Sequence, residues 1–474
     1  MTRVCAAWCA ACLVAAGAAA QRRAEAPSTS RIYVEPFPAG QDAEKLRNAL
    51  VDQLRKVRGV TIASDPSAVD AKLSGDGAVW IKGYRSLNPR SGRFPSNGTA
   101  IFGGYLSVEL TDIGGDTFWS YLVSENATED VFVNLAKKIV KPLSDALQSR
   151  NGVTAATTTE SRATLQGAGA TFPAPIYNKW FAAYAHRGVA ITYEAVGSEE
   201  GIRKLLSGDA DFGACDHPDI LRQLSGEHTG DYVIVPSVVG AVVPIVNLPG
   251  FSGEIVFTPE TLAGIYLGRI TKWSDPAMRQ ANRGQRLPDL DIIVVHRAEG
   301  SGTTYNWTDY LAKASREWQS RVGVSLSPTW PTGRAATGNE GVAKLVTEVP
   351  GAVGYVEFIY AVQSHIGYGR VKNRHGEAVA ASLDSIATAA NSAIATGGRP
   401  APIIDSAAAG AYPIASFTWL AVPRRIADSD KRTALTDFLR WMLGPGQRQA
   451  AALGYLALPN AVAAQAAASL SEIR

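Results

Sequence analysis

Cysteine is scarce. The 474-residue chain has four, and three of them, Cys5, Cys9 and Cys12, crowd into its first stretch. Cys215 is left alone in the remainder, so no intrachain disulfide is available there and stability must come from buried apolar side chains. Beyond the N-terminus there is no run of about 18 uncharged apolar residues, the length a bilayer-spanning helix needs. Charge of one sign is also missing. The formal net charge is only +3, with basic and acidic residues interspersed, which excludes the basic footprint of a nucleic-acid binder. Histidine is rare, and no His, Cys or Asp spacing suits zinc; His217 and His296 read as turn or core residues. Asp209-x-Asp211-x-Gly213 hints at a calcium loop, but Ile220 falls where the closing glutamate belongs. Gly-x-Ser-x-Gly is absent and no serine, histidine and base can be grouped, so neither a phosphatase nor any other enzyme is expected, and no cofactor is implied.

What is present suggests an exported protein of two or three domains. Arg3, the apolar run Val4 to Ala16 and Gly17-Ala-Ala-Ala20 have the order of a secretory signal, residues 1–20, cleaved near Ala20. Cys9 and Cys12 are weighed as lipid-attachment sites and set aside, because the residues before each fit a lipobox poorly. Residues 30–150 read as a small α+β domain with an antiparallel sheet. Its signals are a strand Ile32 to Phe37, an amphipathic helix after Asp42, strands Ala78 to Tyr84 and Tyr105 to Leu110, and a Gly114-Gly115 hairpin into Phe118 to Val123. A second helix carries Val131, Leu135, Ile139 and Leu143 on one stripe, with Pro142 expected to kink or break it. A loop bearing Arg85, Arg90 and Arg93 reads as solvated. Residues 151–163 are polar and aperiodic, as a linker is.

Chemistry concentrates in the remainder. Ile292-Ile-Val-Val295 precedes His296-Arg-Ala-Glu-Gly-Ser-Gly-Thr-Thr-Tyr305, and a helical pattern follows from Asn306 to Ala314. At a strand, small-residue turn and helix, the first helical N–H groups are unpaired and lie at the positive end of the dipole, which suits an anion. Ser301 and Thr303 add hydroxyls, Gly302 admits close backbone approach, and Arg297 offers a planar fork for a tetrahedral oxyanion. Read alone, the same stretch also fits an ordinary Ser/Thr helix cap beside a solvated arginine. Thr171 and Phe172 before Pro173, and Ser198 after Val196-Gly197, present further helix starts. A short strand from Ala210 ends at Asp216.

These blocks taken in order resemble the periplasmic phosphate-binding proteins of high-affinity phosphate ABC transporters. The resemblance covers about Leu165 to Val462. It rests on Gly167-Ala-Gly-Ala-Thr-Phe-Pro-Ala-Pro175, Gly197-Ser198, Asp211-Phe-Gly-Ala214 with Asp216, Ile265-Tyr-Leu-Gly-Arg-Ile-Thr-Lys-Trp273, Arg297-Ala-Glu-Gly-Ser-Gly-Thr303, Pro350-Gly-Ala-Val-Gly-Tyr355 and Tyr412-Pro-Ile. It implies a type II periplasmic-binding-protein fold, α/β, with two lobes, a hinge and a ligand cleft. The lobes are expected at 164–246 with 412–474, and at 247–411. Ala241 to Val246 would leave the first lobe and Tyr412 to Leu420 return to it, with helices over Thr433 to Leu443 and Gly446 to Leu453 completing it. The implied phosphate ligands are Thr171, Phe172, Ser198, Asp216, Arg297, Ser301, Gly302 and Thr303, and the implied partner is a membrane permease. The protein is expected to be a periplasmic monomer.

Asp216 is expected to set selectivity, because a carboxylate facing an anion is tolerated only if the ligand brings a proton, as hydrogen phosphate does and sulfate does not. An alternative confines Asp216 to an ion pair with Arg297. Glu199, Glu200 and Glu299 depart from the family pattern, and Glu199 and Glu200 are expected to face solvent. Alternative functions are binding of another oxyanion, and an envelope sensor or scaffold with the extra domain as its output.

Overall fold

The computed structural model describes residues 30–38, 42–85, 99–127, 129–148, 163–185, 187–217, 220, 230–393, 400 and 402–474. The leader, residues 151–162 of the linker, Arg90 and Arg93 lie outside the described residues, and Arg85, expected in a loop, is instead the last residue of a strand. The N-terminal part is a five-stranded sheet in the order β2-β1-β3-β4-β5. Its strands are β1 (Ser30–Val34), β2 (Val60–Ile62), β3 (Ala71–Arg85), β4 (Thr99–Thr111) and β5 (Thr117–Ala127), with helices α1 (Ala43–Leu54) and α2 (Val131–Gln148). The sheet is mixed and not purely antiparallel, since β1 pairs in parallel with both β2 and β3. That follows from connectivity: α1 intervenes between β1 and β2, which allows a parallel crossover that a tight hairpin cannot make. α2 runs unbroken through Pro142, where packing of the stripe against the sheet outweighs one lost helical hydrogen bond.

Period-two alternation gives this sheet two faces. Leu106, Val108 and Leu110 of β4 are fully buried with Leu46, Leu50 and Leu54 of α1 and Leu135, Ile139 and Leu143 of α2, forming a separate core. The intervening residues point the other way, towards the C-terminal part. Ser107 Oγ donates to Ala452 O (2.8 Å) and Ser120 Oγ to Arg448 O (2.5 Å). Glu109 pairs with Lys179 (3.0 Å), and Tyr105 and Leu122 join the larger core.

The C-terminal part is built on a nine-stranded sheet. Along its path the order is β12-β11-β13-β9-β17-β8-β6-β7, and β14 pairs with β9 off that path. The strands are β6 (Thr164–Gly169), β7 (Ala190–Glu194), β8 (Phe212–Cys215), β9 (Tyr232–Val246), β10 (Val256–Phe257), β11 (Ile293–Arg297), β12 (Arg334–Ala336), β13 (Ala352–Glu357), β14 (Gly367–Tyr368), β15 (Arg370–Lys372), β16 (Ala378–Val379) and β17 (Ala415–Pro423). β10, β15 and β16 form a small separate sheet. Parallel pairs β6/β7 and β6/β8 build one lobe, and β11/β13 and β11/β12 build the other.

β9 joins the lobes. Its first part pairs with β17 and its last part with β13, both antiparallel. The crossing strand expected at Ala241 to Val246 is thus the end of a 15-residue strand. β9 has almost every residue buried on both faces, which is why it reads as an apolar run without alternation. Helices α3 (Ala174–Ala185) and α4 (Ser198–Ser207) cover the first lobe. The helix expected over Gly446 to Leu453 is two short 3₁₀ turns, Pro445–Gln449 and Ala451–Leu453. Gly444, Pro445 and Gly446 disfavour a regular helix there, and the Gln447 amide donates to Ser237 O (2.8 Å), outside the segment.

Candidate functional site

The eight sequence-derived residues converge where the two lobes meet, and all are buried. Thr171 and Phe172 follow β6 and precede α3, Ser198 is the first residue of α4, and Asp216 follows β8. From the other lobe, Arg297 ends β11, and Ser301, Gly302 and Thr303 open the helix Gly302–Ala314. Ser301 is indeed a helix cap, since its Oγ accepts from Thr304 N (3.2 Å). Capping satisfies the Thr304 amide and Leu326 O accepts from Ser301 N (3.0 Å), which leaves the Gly302 and Thr303 amides of that turn without an intrahelical partner.

The lobes are closed on each other. Gly302 N donates to Ser198 Oγ (3.1 Å), Glu199 N to Gly300 O (3.2 Å), and Tyr360 Oη to Thr171 O (2.8 Å). Gly302 is glycine because of this approach: a Cβ there would lie 2.5 Å from both Asp216 Oδ2 and Ser198 Oγ. The N-termini of α4 and of the helix from Gly302 therefore abut, and their dipoles place partial positive charge on one small volume.

Arg297 is 3% exposed and held from several directions. Its Nε donates to Glu299 Oε1 (2.8 Å) and its Nη2 to the same oxygen, while Nη1 reaches Thr303 Oγ1 (3.4 Å). Glu299 Oε1 also accepts from Gly338 N (3.0 Å). The ion-pair partner of Arg297 is thus Glu299; among the described residues no salt bridge joins Arg297 to Asp216, so that alternative for Asp216 does not hold. Glu299, a departure from the family pattern, acts as the tether of the guanidinium. Glu200 is exposed as expected, whereas Glu199 is only half-buried and pairs with Arg203 (2.7 Å).

Asp216 is 3% exposed, and its Oδ1 is buried without a hydrogen-bond partner. Burial pushes its carboxyl up to about 7, partly offset by the Thr418 hydroxyl and the Arg297 charge. A buried acceptor facing a convergence of donors suits a ligand that carries its own proton. Burial likewise pushes the neighbouring Cys215 thiol up, so it is a packed side chain and not a nucleophile. His217 stacks on Tyr305 with centroids 3.7 Å apart, and His296 on Trp330 at 4.7 Å, which accounts for both histidines structurally.

Three participants escaped the sequence reading. Tyr355 Oη bonds Arg297 N (3.3 Å) and Thr304 Oγ1 (2.6 Å), fixing the turn from β13. Glu357 is wholly buried, its carboxyl pushed well above the usual range by burial. Asn339 is wholly buried and donates from Nδ2 to Thr171 Oγ1 (2.8 Å). Gly338, at φ +71°, is the one local signal: a left-handed glycine sets where the helix Gly338–Glu348 starts and so where Asn339 points.

Residues 154–445 match the PBP superfamily domain. The chain is 39% identical over 299 residues to the phosphate-binding protein PstS of Xylella fastidiosa (strain Temecula1), covering 62% of this chain and 81% of that relative. It is 38% identical over 313 residues to the phosphate-binding protein PstS of Pasteurella multocida, covering 65% and 90%. Among solved structures, a high-affinity periplasmic phosphate-binding protein bound with phosphate at pH 8.5 superimposes with a TM-score of 0.52 at 24% identity, covering 64% of this chain and 93% of that one. That likeness carries the fold.

Proposed function

The chain belongs to the PBP superfamily, among the relatives of the PstS phosphate-binding proteins, and from that premise we propose that it captures inorganic phosphate between its lobes and delivers it to a membrane permease for uptake. The observation that carries the site assignment is the convergence of Thr171, Phe172, Ser198, Asp216, Arg297, Ser301, Gly302 and Thr303 in one buried volume. Backbone N–H groups of Phe172, Ser198, Gly302 and Thr303, four hydroxyls and the Arg297 fork replace the hydration shell of the ion, while the Ser301 amide is held by Leu326 O (3.0 Å) and contributes through its hydroxyl. Charge-assisted bonds of about 1.5 to 3 kcal/mol each, a few of them surviving the cost of ordering, reach the roughly 8 kcal/mol of micromolar binding. The positive charge of Arg297 is already opposed by Glu299, so the attraction comes mainly from oriented dipoles, and Asp216 then selects for a protonated ligand.

The protein acts in the periplasm with its leader removed. Among the described residues no helix is long and apolar enough to cross a membrane. Deleting the gene and measuring uptake of labelled phosphate at limiting concentration tests the role: uptake falls and is restored by wild-type protein but not by an Arg297→Ala variant. Uptake unaffected by deletion, with no change in any other phosphate carrier, refutes it.

A second reading, that the N-terminal module registers the state of the cleft, is favoured by its seat. The module bonds the first lobe through Ser107, Ser120 and Glu109. It touches the second lobe through Trp80, stacked on His365 at 4.4 Å, and Ser124, 3.2 Å from Tyr368 Oη. A cavity of about 470 Å³ borders that second contact. A sheet fixed to one lobe cannot follow the other through a hinge motion, so the Trp80 contact is the one that opening disturbs. Under this reading Trp80→Ala weakens phosphate binding about fivefold through loss of a closed-state contact. Equal affinity in Trp80→Ala removes it.

A further inference from the structure

Asn339 occupies a place that the ligand set leaves unexplained. Its Nδ2 donates to Thr171 Oγ1 at 2.8 Å and lies 3.5 Å from Thr303 Oγ1, one hydroxyl from each lobe. Its Oδ1 accepts from Glu357 N at 2.9 Å. A backbone N–H can only donate, so the atom facing it is the amide oxygen, and the NH₂ group must point at the two threonines.

A hydroxyl has one proton and two lone pairs. Thr303 Oγ1 already receives Arg297 Nη1 at 3.4 Å and Asn339 Nδ2, so its acceptor capacity is filled and its proton must go elsewhere. Thr171 Oγ1, having accepted from Asn339, is likewise turned to donate. We propose that Asn339 is a positioning residue for phosphate: it occupies the lone pairs of Thr171 and Thr303 so that both hydroxyls present protons to the oxyanion, and it ties the two lobes together while doing so. This rests on the phosphate reading and adds to it a residue that need not touch the ion.

The device explains why an amide stands there. An isosteric carboxylate at 339 would demand protons from both hydroxyls, reversing them away from the ligand, and would add a negative charge inside the closed cleft. An apolar residue would leave the hydroxyls free to rotate, so only part of the benefit is lost. The hydrogen bond from Glu357 N holds the polarity of the amide, and Glu357 itself caps its helix by accepting from Ile359 N (2.8 Å). The orientation is therefore set by backbone, without reliance on the ligand.

The test is calorimetric titration of the purified full chain with inorganic phosphate. Asn339→Ala weakens binding about 10-fold, and Asn339→Asp on the order of 100-fold or more. A residue that merely supports the fold gives the same penalty in any background. One that acts through Thr171 does not, so in a Thr171→Val background the Asn339→Ala penalty falls to about threefold. Circular dichroism and the melting midpoint establish that each variant is folded. If Asn339→Asp does not fold, the Ala and Val cycle still decides. Unchanged affinity in Asn339→Ala, or penalties that simply multiply in the double variant, overturns the inference while leaving phosphate binding intact. Wild-type protein that takes up no phosphate sinks both.

Discussion

Asp216→Asn separates two consequences of one buried carboxylate. Burial raises Asp216 from its ordinary value of 3.8 to about 7. The folded chain therefore holds this proton over a range where the unfolded chain has released it, and folded stability falls as pH rises from about 4 to about 7. The whole displacement corresponds to about 4 kcal/mol, of which about 2 to 3 kcal/mol is lost between pH 5 and pH 8. Asparagine is close in size and does not ionise, so the variant keeps the packing and lacks this slope. Urea unfolding of ligand-free protein at pH 5 and pH 8 reads the difference: the wild type loses about 2 to 3 kcal/mol more than Asp216→Asn. Groups away from the cleft titrate equally in both proteins and cancel, and Glu357, raised chiefly by its own burial, loses only the smaller push from the Asp216 charge. The same substitution removes the acceptor that requires a protonated ligand, so the preference for phosphate over sulfate narrows by about 10-fold or more. Identical pH slopes refute the burial argument, and unchanged selectivity refutes the role given to Asp216.

Other perturbations report on separate parts of the site and fold. Gly302→Ala places a methyl 2.5 Å from Asp216 Oδ2 and Ser198 Oγ; phosphate affinity falls at least about 100-fold in calorimetry, and the melting midpoint of ligand-free protein changes little, because the lobes fold without closing fully. Arg297→Lys loses the fork that holds Glu299 Oε1 with two nitrogens, and binding weakens about 10- to 100-fold, a loss that added salt does not restore. Leu135→Ala, in the separate core of the N-terminal module, destabilises that module by about 3 kcal/mol in denaturant unfolding and leaves the unfolding of the C-terminal part in place.

The helix starts were legible in the sequence because their punctuation is local. A short apolar run, small residues and a helical period mark Ser198 and Ser301 as openings, and the order of blocks brings both to one cleft. The partner of Arg297 was present two residues along, but Glu299 read as a departure from pattern; only the bond from Gly338 N shows it as a fixed anchor. Asn339 could not be found this way, since it meets Thr171 across 168 residues and its polarity depends on an amide of β13. The outer face of the N-terminal sheet was visible as the alternation Tyr105, Ser107, Glu109, yet alternation says only that a face is polar, not that the 3₁₀ turns near Ala452 cover it. The mixed sheet was misread for a similar reason, because pairing direction follows from how β1 returns after α1, and strand propensity carries no direction.

The central claim is that one buried volume between the lobes holds a protonated tetrahedral oxyanion. Isothermal titration of the mature protein with phosphate, then with sulfate, at pH 8.5, above the raised value of Asp216, addresses it directly. The account predicts one phosphate per chain at micromolar affinity or better, and sulfate binding weaker by about 10-fold or more. No heat with phosphate, or equal affinity for the two ions, contradicts it.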